Sequence, residues 1–211
     1  MMMNRKIRIG NHVLDKDSPA FIVAEMSANH NMDFGRAVEI IHAAKDAGAD
    51  AVKIQTYTAD TITLNSDAPC FQITQGTLWD GITLHKLYRK AYTPWEWQAE
   101  LKKAAEEVGL EFFSSPFDFS SVDFLEEFDV PAYKVASFEI TDIPLIRKIA
   151  LLGKPVILAT GVARLADIEL AVETCRKAGN EDVVLLKCTS AYPTPYGDVN
   201  LRTMPSMGET F

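Results

Sequence analysis

The sequence predicts an α/β fold of the (β/α)8, TIM-type barrel class, ending here after about six β/α units and preceded by a short N-terminal β-hairpin. Three observations carry that expectation. Short β-branched runs alternate with longer amphipathic stretches, the rhythm of parallel strands joined by crossover helices. No glycine-rich turn follows the first strand, which weakens the alternative of a six-stranded doubly wound sheet. Polar and charged residues recur at the ends of the strands, where a barrel keeps its active site. A closed eight-stranded barrel takes about 250 residues, so 211 leaves two units to be expected elsewhere. The predicted division is a hairpin over residues 1–19 and a partial barrel over residues 20–211.

The elements follow in order. Lys6–Ile9 and His12–Leu14 flank Gly10-Asn11 and form the hairpin, which in a barrel would plug the N-terminal mouth. The first barrel strand is Phe21–Glu25. A helix over 33–47 carries Ala37, Ile40, Ile41 and Ala44 on one face, and Gly48 closes it. The second strand is Ala51–Gln55. From Thr56 to Thr93 the rhythm breaks, and a break of that length in a compact domain is usually functional. It holds the motif Gly76-Thr77-Leu78-Trp79-Asp80-Gly81 and a short helix around 84–92. Pro94 is expected to open a helix reaching Val108. Then come strand Glu111–Ser114, helix 121–128, strand Ala132–Val135, helix 143–152, strand Pro155–Leu158, helix 165–178 and strand Val183–Lys187. Residues 200–211 begin a further helix.

Composition narrows the function. Apolar residues make up 47 % and charged residues 24 % of the chain, with a formal charge of -8, as in ordinary globular enzymes. An acidic chain without a Lys/Arg block is a poor ligand for nucleic acid, so nucleic-acid partners are not expected. No run of about 18 apolar residues suggests a membrane span. The basic N-terminus lacks the apolar core of a signal peptide. Cys70, Cys175 and Cys188 show neither disulfide nor zinc spacing. A cytoplasmic location is expected.

The chemistry is expected at the strand ends. Burying an ammonium without a partner is costly, so Lys53 and Lys134, set in apolar strands, each need a carboxylate or an anionic ligand. Two readings stand side by side. Lys53 and Lys134 pair with Glu25 and Glu139 as interior salt bridges, or they join the hydroxyls of Ser115, Ser137 and Thr160 in an anion cradle. Lys187 reads as structural here. Glu25 and Glu139 interrupt apolar stretches, and either would suit a proton carrier near neutral pH. Asp118, Asp123, Glu126 and Glu127 read as a solvated helix start and face. His30 sits at the active face with a hydrogen-bonding role, whereas His12, His42 and His85 read as surface or packing residues. No cluster in this chain completes a metal site by itself.

At these residues the chain resembles the sialic acid synthase family. The resemblance rests on Ala24-Glu25-Met26-Ser27-Ala28-Asn29-His30-Asn31, Val52-Lys53-Ile54-Gln55-Thr56 and Phe113-Ser114-Ser115-Pro116-Phe117-Asp118. It continues in Tyr133-Lys134-Val135-Ala136-Ser137-Phe138-Glu139 and Cys188-Thr189-Ser190-Ala191-Tyr192-Pro193. The motifs are collinear and run from Ala20 to the end. Within the family, Glu25-Met26-Ser27-Ala28-Asn29, the Gly76–Gly81 motif, Tyr92-Thr93-Pro94-Trp95-Glu96-Trp97 and Ala136-Ser137-Phe138 are most similar to the pseudaminic acid branch, and Ser190 stands where the neuraminate and legionaminate branches tend to carry Asn.

The resemblance implies a condensation of phosphoenolpyruvate with an amino-sugar aldehyde, here 2,4-diacetamido-2,4,6-trideoxy-altropyranose, giving a nine-carbon acid and phosphate. It implies that Lys53, Lys134, Ser115 and Ser137 hold phosphoenolpyruvate, while Gln55, Tyr192 and the 56–79 insertion face the sugar. Glu25 would handle protons on the sugar and Glu139 would orient groups near the reacting carbons, with Tyr192 beside them as the third catalytic candidate. Asn29, Phe117, Thr160 and Ser190 complete the substrate-binding candidates. A divalent metal, Mn2+ or Mg2+, is implied as the Lewis acid on the aldehyde, with its histidine ligands expected beyond residue 211. A small C-terminal antifreeze-like domain and a homodimer are implied for the complete enzyme. Ala159 departs from the family's usual serine and removes one phosphate-binding hydroxyl. Three alternatives stay open: a neuraminate or legionaminate synthase, a Schiff-base aldolase using Lys134 or Lys187, and an inactive binding fragment.

Overall fold

The computed structural model describes residues 6–74, 76, 79–191 and 193–211. The chain divides into two compact units, residues 20–128 and residues 1–19 with 129–211. Each carries three parallel strands in chain order, with helices between them.

In the unit of residues 20–128 the strands are β3 (Val23–Glu25), β4 (Ala51–Thr56) and β5 (Glu111–Pro116). Glu25 lies opposite Lys53, and Gln55 opposite Ser115, in the parallel ladder. Alternation then sorts each strand. Val52 and Ile54 join Phe112 in a core with Met26, Ile41, Leu101 and Ala105, which leaves Lys53, Gln55 and Ser115 to the other face. Helix α1 (Phe34–Asp46) presents Ala37, Ile41 and Ala44 to that core, capped by Asp33, whose carboxylate accepts from the Arg36 N–H. Gly48 follows at φ 86, a left-handed stop that glycine adopts without a Cβ penalty.

Three expectations need correction here. The first strand starts two residues late. The Ile22 carbonyl accepts from both Asp50 and Ala51, and its N–H is taken by the Asp50 side chain at 2.7 Å, so this residue is spent on a side-chain contact outside the ladder. Pro94 does not open a helix. It is extended (φ -52, ψ 131) before a 3-10 turn at Trp95–Trp97, and helix α4 runs only over Gln98–Glu107. The Trp95 indole N–H is held by the Tyr57 carbonyl at 3.1 Å, and its ring lies on Phe124. Tertiary anchoring of the tryptophan thus displaces the helix start. Helix α5 (Phe119–Glu126) begins earlier than expected because Asp118 caps it, accepting from the Ser121 N–H at 3.0 Å. Burial pushes the Asp118 carboxyl up, but the Ser120 and Ser121 hydroxyls outweigh it and hold the group below its usual range.

The broken rhythm after β4 contains α2 (Ala59–Ile62), a 3-10 turn at Pro69–Phe71 and α3 (Leu84–Ala91). His85 of α3 is buried and meets the Asp60 carboxylate of α2 at 2.7 Å, which ties these two helices together. Of the motif 76–81, Thr77 and Leu78 lie outside the described residues.

The other unit opens with the predicted hairpin, β1 (Ile7–Ile9) against β2 (His12–Leu14), turning at Gly10 with φ 54. Its parallel strands are β6 (Tyr133–Val135), β7 (Val156–Ala159) and β8 (Val183–Leu186). Helix α6 (Ile143–Ala150) is capped by Asp142 and buries Leu145, Ile146 and Ile149; α7 (Leu165–Lys177) buries Ile168, Ala171 and Val172. The expected last helix is present as α8 (Thr203–Thr210). Ser137 and Glu139 do not lie on β6 itself. They occupy a 3-10 turn, Ser137–Thr141, directly after it.

Candidate functional site

Glu25, the last residue of β3, lies opposite Lys53 in the middle of β4, and their side chains form an ion pair between Glu25 Oε2 and Lys53 Nζ. The lysine is buried at 8 % exposure, while the carboxylate is well exposed, at 42 % for the side chain. Lys53 Nζ also reaches the Ser115 hydroxyl at 3.4 Å. The buried ammonium therefore has one carboxylate and one hydroxyl as partners, from the C-terminal parts of β3 and β5. The salt-bridge reading holds for this pair, and the exposed carboxylate leaves the ammonium open to exchange of partner.

The chain after β3 is strained. Ser27, Asn31 and Met32 have φ of 48, 48 and 58, left-handed values that cost a non-glycine residue roughly 1–2 kcal/mol each. The loop is held by its own polar contacts. The Ser27 N–H donates to Glu25 Oε1 at 3.1 Å and its hydroxyl to Gln55 Oε1 at 3.4 Å, while Asn29 Nδ2 donates to the Met26 carbonyl at 2.9 Å. His30 is fully buried. Its Nδ1 accepts the Met32 N–H at 3.1 Å and its Nε2 lies 3.3 Å from the Thr93 hydroxyl, an arrangement that puts the proton on Nε2. Burial lowers its pKa. His30 is thus a neutral structural anchor, in line with its expected hydrogen-bonding role. Phe117 lies after β5 and packs edge-on against the buried Tyr57. Burial and the neighbouring Tyr88 raise the Tyr57 phenol well above its ordinary value.

In the second unit Lys134 lies on β6, and Ser137 and Glu139 lie on the 3-10 turn that follows it. Glu139 Oε2 is buried with no hydrogen-bond partner. Burial raises the carboxyl's pKa, its own backbone N–H and Lys134 oppose the shift, and Asp142 adds to it. A buried carboxyl with an unengaged oxygen is a proton holder more than an ion-pair partner. Thr160 is committed to the backbone, since its hydroxyl donates to the Leu186 carbonyl at 2.9 Å. Ser190 is exposed and stands beside Gly161 together with Ser137. Lys187 is tied to the Cys188 carbonyl at 3.1 Å and the Thr189 hydroxyl at 2.7 Å, a local structural role. Tyr192 lies outside the described residues. Among the described residues no three His, Cys, Asp or Glu side chains gather so as to hold a metal ion, so these residues do not by themselves form a metal site. No helix of the structure is long and apolar enough to cross a membrane.

Two contacts were not read from the sequence. Ser27 holds Gln55, and only the left-handed backbone brings its hydroxyl there. Gly161 admits two serine hydroxyls, and the sole sequence signal is a glycine directly after a strand-end threonine.

Comparison with known proteins adds a decisive match. The pattern that defines the NeuB family fits residues 40–211. The chain belongs to the NeuB family. Pseudaminic acid synthase of Helicobacter pylori is 50 % identical over 193 residues, covering 92 % of this chain and 56 % of that protein. Pseudaminic acid synthase of Campylobacter jejuni is 46 % identical over 205 residues, covering 97 % and 59 %. The chain thus spans somewhat more than half the length of these relatives. Among solved structures, the N-acetylneuraminic acid synthetase of Leptospira borgpetersenii, in complex with citrate, matches 99 % of this chain and 68 % of that one, with a TM-score of 0.87 and 29 % identity. The NeuB chain described here has the parallel β/α barrel-type fold, with six β/α strands and a short antiparallel hairpin.

Proposed function

We propose that the protein carrying this chain condenses phosphoenolpyruvate with a diacetamido-trideoxy sugar of altro configuration, releasing phosphate, and so acts as a pseudaminic acid synthase. The observation that carries the reading is the buried Lys53 ammonium of β4, paired with an exposed carboxylate at the end of β3 and a serine hydroxyl. The names of relatives 46–50 % identical give the reaction class.

In this reading Lys53 with Ser115, and Lys134 with Ser137, each hold an anionic group of phosphoenolpyruvate. An incoming phosphate or carboxylate would replace Glu25 as the partner of Lys53 and free Glu25 to move protons on the sugar. Gln55, steadied by Ser27, and Asn29 bind sugar hydroxyl or amide groups, with Phe117 as an apolar wall. Ser190 completes the hydroxyl set; Thr160 supports it through the backbone. Glu139 holds a proton at its unengaged Oε2 near the reacting carbons, and Tyr192 faces the sugar. The new carbon–carbon bond joins the methylene carbon of phosphoenolpyruvate to the aldehyde carbon. Water supplies an oxygen to the enol carbon, and phosphate leaves with its bridging oxygen. In the whole protein a divalent ion, manganese or magnesium in type, would supply Lewis acidity at the aldehyde. We place the reaction in the cytoplasm, where phosphoenolpyruvate is made, and assign a homodimer to the complete enzyme.

The test is kinetic. In the protein that carries this chain, Lys53→Ala or Lys134→Ala should raise the KM for phosphoenolpyruvate about ten- to a hundred-fold or abolish phosphate release. A charge-assisted contact contributes roughly 1.5–3 kcal/mol. Unchanged kinetics in both variants would overturn the anion cradle. Phosphate release should also favour the diacetamido altro sugar over N-acetylmannosamine, and the reverse preference would point to neuraminate synthesis.

A further inference from the structure

Gly161 follows β7, and a methyl group built on its Cα would run into three neighbours. It would overlap the Ser190 hydroxyl, stand 2.9 Å from the Ser137 hydroxyl and 3.2 Å from the Cys188 Cβ. Its backbone N–H donates to Ser137 Oγ at 3.2 Å. The backbone at 161 does not need left-handed φ, because it is absent from the glycines with positive values. Glycine is therefore required here for space, not for conformation.

The donor direction matters. A serine oxygen has two lone pairs and one proton. With one lone pair taken by the Gly161 N–H, the Ser137 proton is left to point elsewhere. Ser190 is exposed, and among the described residues no hydrogen bond fixes its hydroxyl in another direction. Two hydroxyl donors from separate strand-end segments thus converge over one residue that has no side chain. Ala159, two residues earlier, brings none.

We infer that Gly161 is a positioning residue whose missing side chain and backbone N–H set the Ser137 and Ser190 hydroxyls as a paired donor for an anionic oxygen of the substrate. The inference rests on the functional reading above for the identity of the anion, phosphoenolpyruvate. It adds a residue that touches no substrate and acts only through the two serines.

The test uses the protein that carries this chain and phosphoenolpyruvate itself as the probe. Gly161→Ala should weaken phosphoenolpyruvate binding about ten- to a hundred-fold, the range for one or two hydrogen bonds to a charged group, with the KM moving more than kcat. The Ser190→Ala variant should weaken it as well, and Gly161→Ala added to Ser137→Ala/Ser190→Ala should cost almost nothing more. Purely structural damage would instead add to the serine losses. If Gly161→Ala fails to fold, Gly161→Ala/Ser190→Ala removes the worst overlap and should melt like Ser190→Ala. Should wild type bind phosphoenolpyruvate and Gly161→Ala bind it equally well, or should the losses simply add, the positioning role is wrong while the functional reading stands. A wild-type protein that does not bind phosphoenolpyruvate overturns both.

Discussion

Glu139 shows how far one residue's environment can depart from what its position suggests. In the sequence it is one of two carboxylates interrupting apolar stretches, and nothing there separates it from Glu25. In the structure Glu25 is exposed and ion-paired with Lys53, whereas Glu139 is raised in pKa by burial and keeps an oxygen without a partner. Neighbours from distant segments make that difference, and no local spacing encodes them. The sign of its effect on stability follows. A carboxyl raised above its ordinary 4.5 leaves the folded state binding more protons than the unfolded one, so its contribution is complete below pH 4.5 and is lost as pH rises through the folded value. Glu139→Gln should therefore gain in melting temperature over wild type as pH rises above about 4.5, with no difference below it, while losing phosphate release. A variant that tracks wild type at every pH would show that Glu139 is not held protonated.

At the scale of elements, the helices with an apolar stripe were legible, whereas the caps Asp33, Asp118 and Asp142 that fix where α1, α5 and α6 begin were not read from the sequence. Pro94 was not legible either, because a tryptophan three-dimensional anchor overrode its preference for a first turn. The loop after β3 is the clearest case of an element decided by tertiary contacts. Nothing about Ser27, Asn31 or Met32 demands left-handed backbone, yet the loop holds three such residues around a buried His30. Protonation of Nδ1 would turn it from acceptor to donor and break the Met32 contact. With its pKa lowered from 6.5, His30 contributes its full stability above pH 6.5 and loses it as pH falls through the lower folded value. Melting curves from pH 7.5 to 5 should show wild type losing stability in that window, and a His30→Gln variant, less stable at pH 7.5, should lose less of what remains. An identical slope in both would mean that His30 does not titrate with unfolding.

At the scale of the molecule, among the described residues β3 is paired only with β4, and β8 only with β7. Ile22 beside β3 is 52 % exposed and Leu186 of β8 is 38 % exposed. An apolar cavity of about 310 Å3 opens between β8 and α8, lined by Val183, Leu185, Met204 and Met207. Unpaired strand edges and apolar patches recruit other chains. Expressed as a separate 211-residue polypeptide, the chain should self-associate, bind an apolar dye and release no phosphate from phosphoenolpyruvate with manganese and sugar present. A monodisperse, cooperatively melting and active monomer in light scattering, thermal melts and phosphate assays would refute that expectation.

By itself the sequence determined the alternation of strands and helices, the hairpin at Gly10, the ordering of the polar strand ends and, through collinear motifs, membership of the NeuB family. These are periodic or local signals, and burial on one face of each element enforces them. The tertiary structure alone decided which lysine holds which carboxylate, that Thr160 is spent on the backbone of β8, that His30 is a neutral buried anchor, and that Gly161 is a glycine for space. Each of those depends on groups between 24 and 63 residues apart for their hydrogen bonds, and desolvation at such meetings sets charge and proton position in ways no local pattern records.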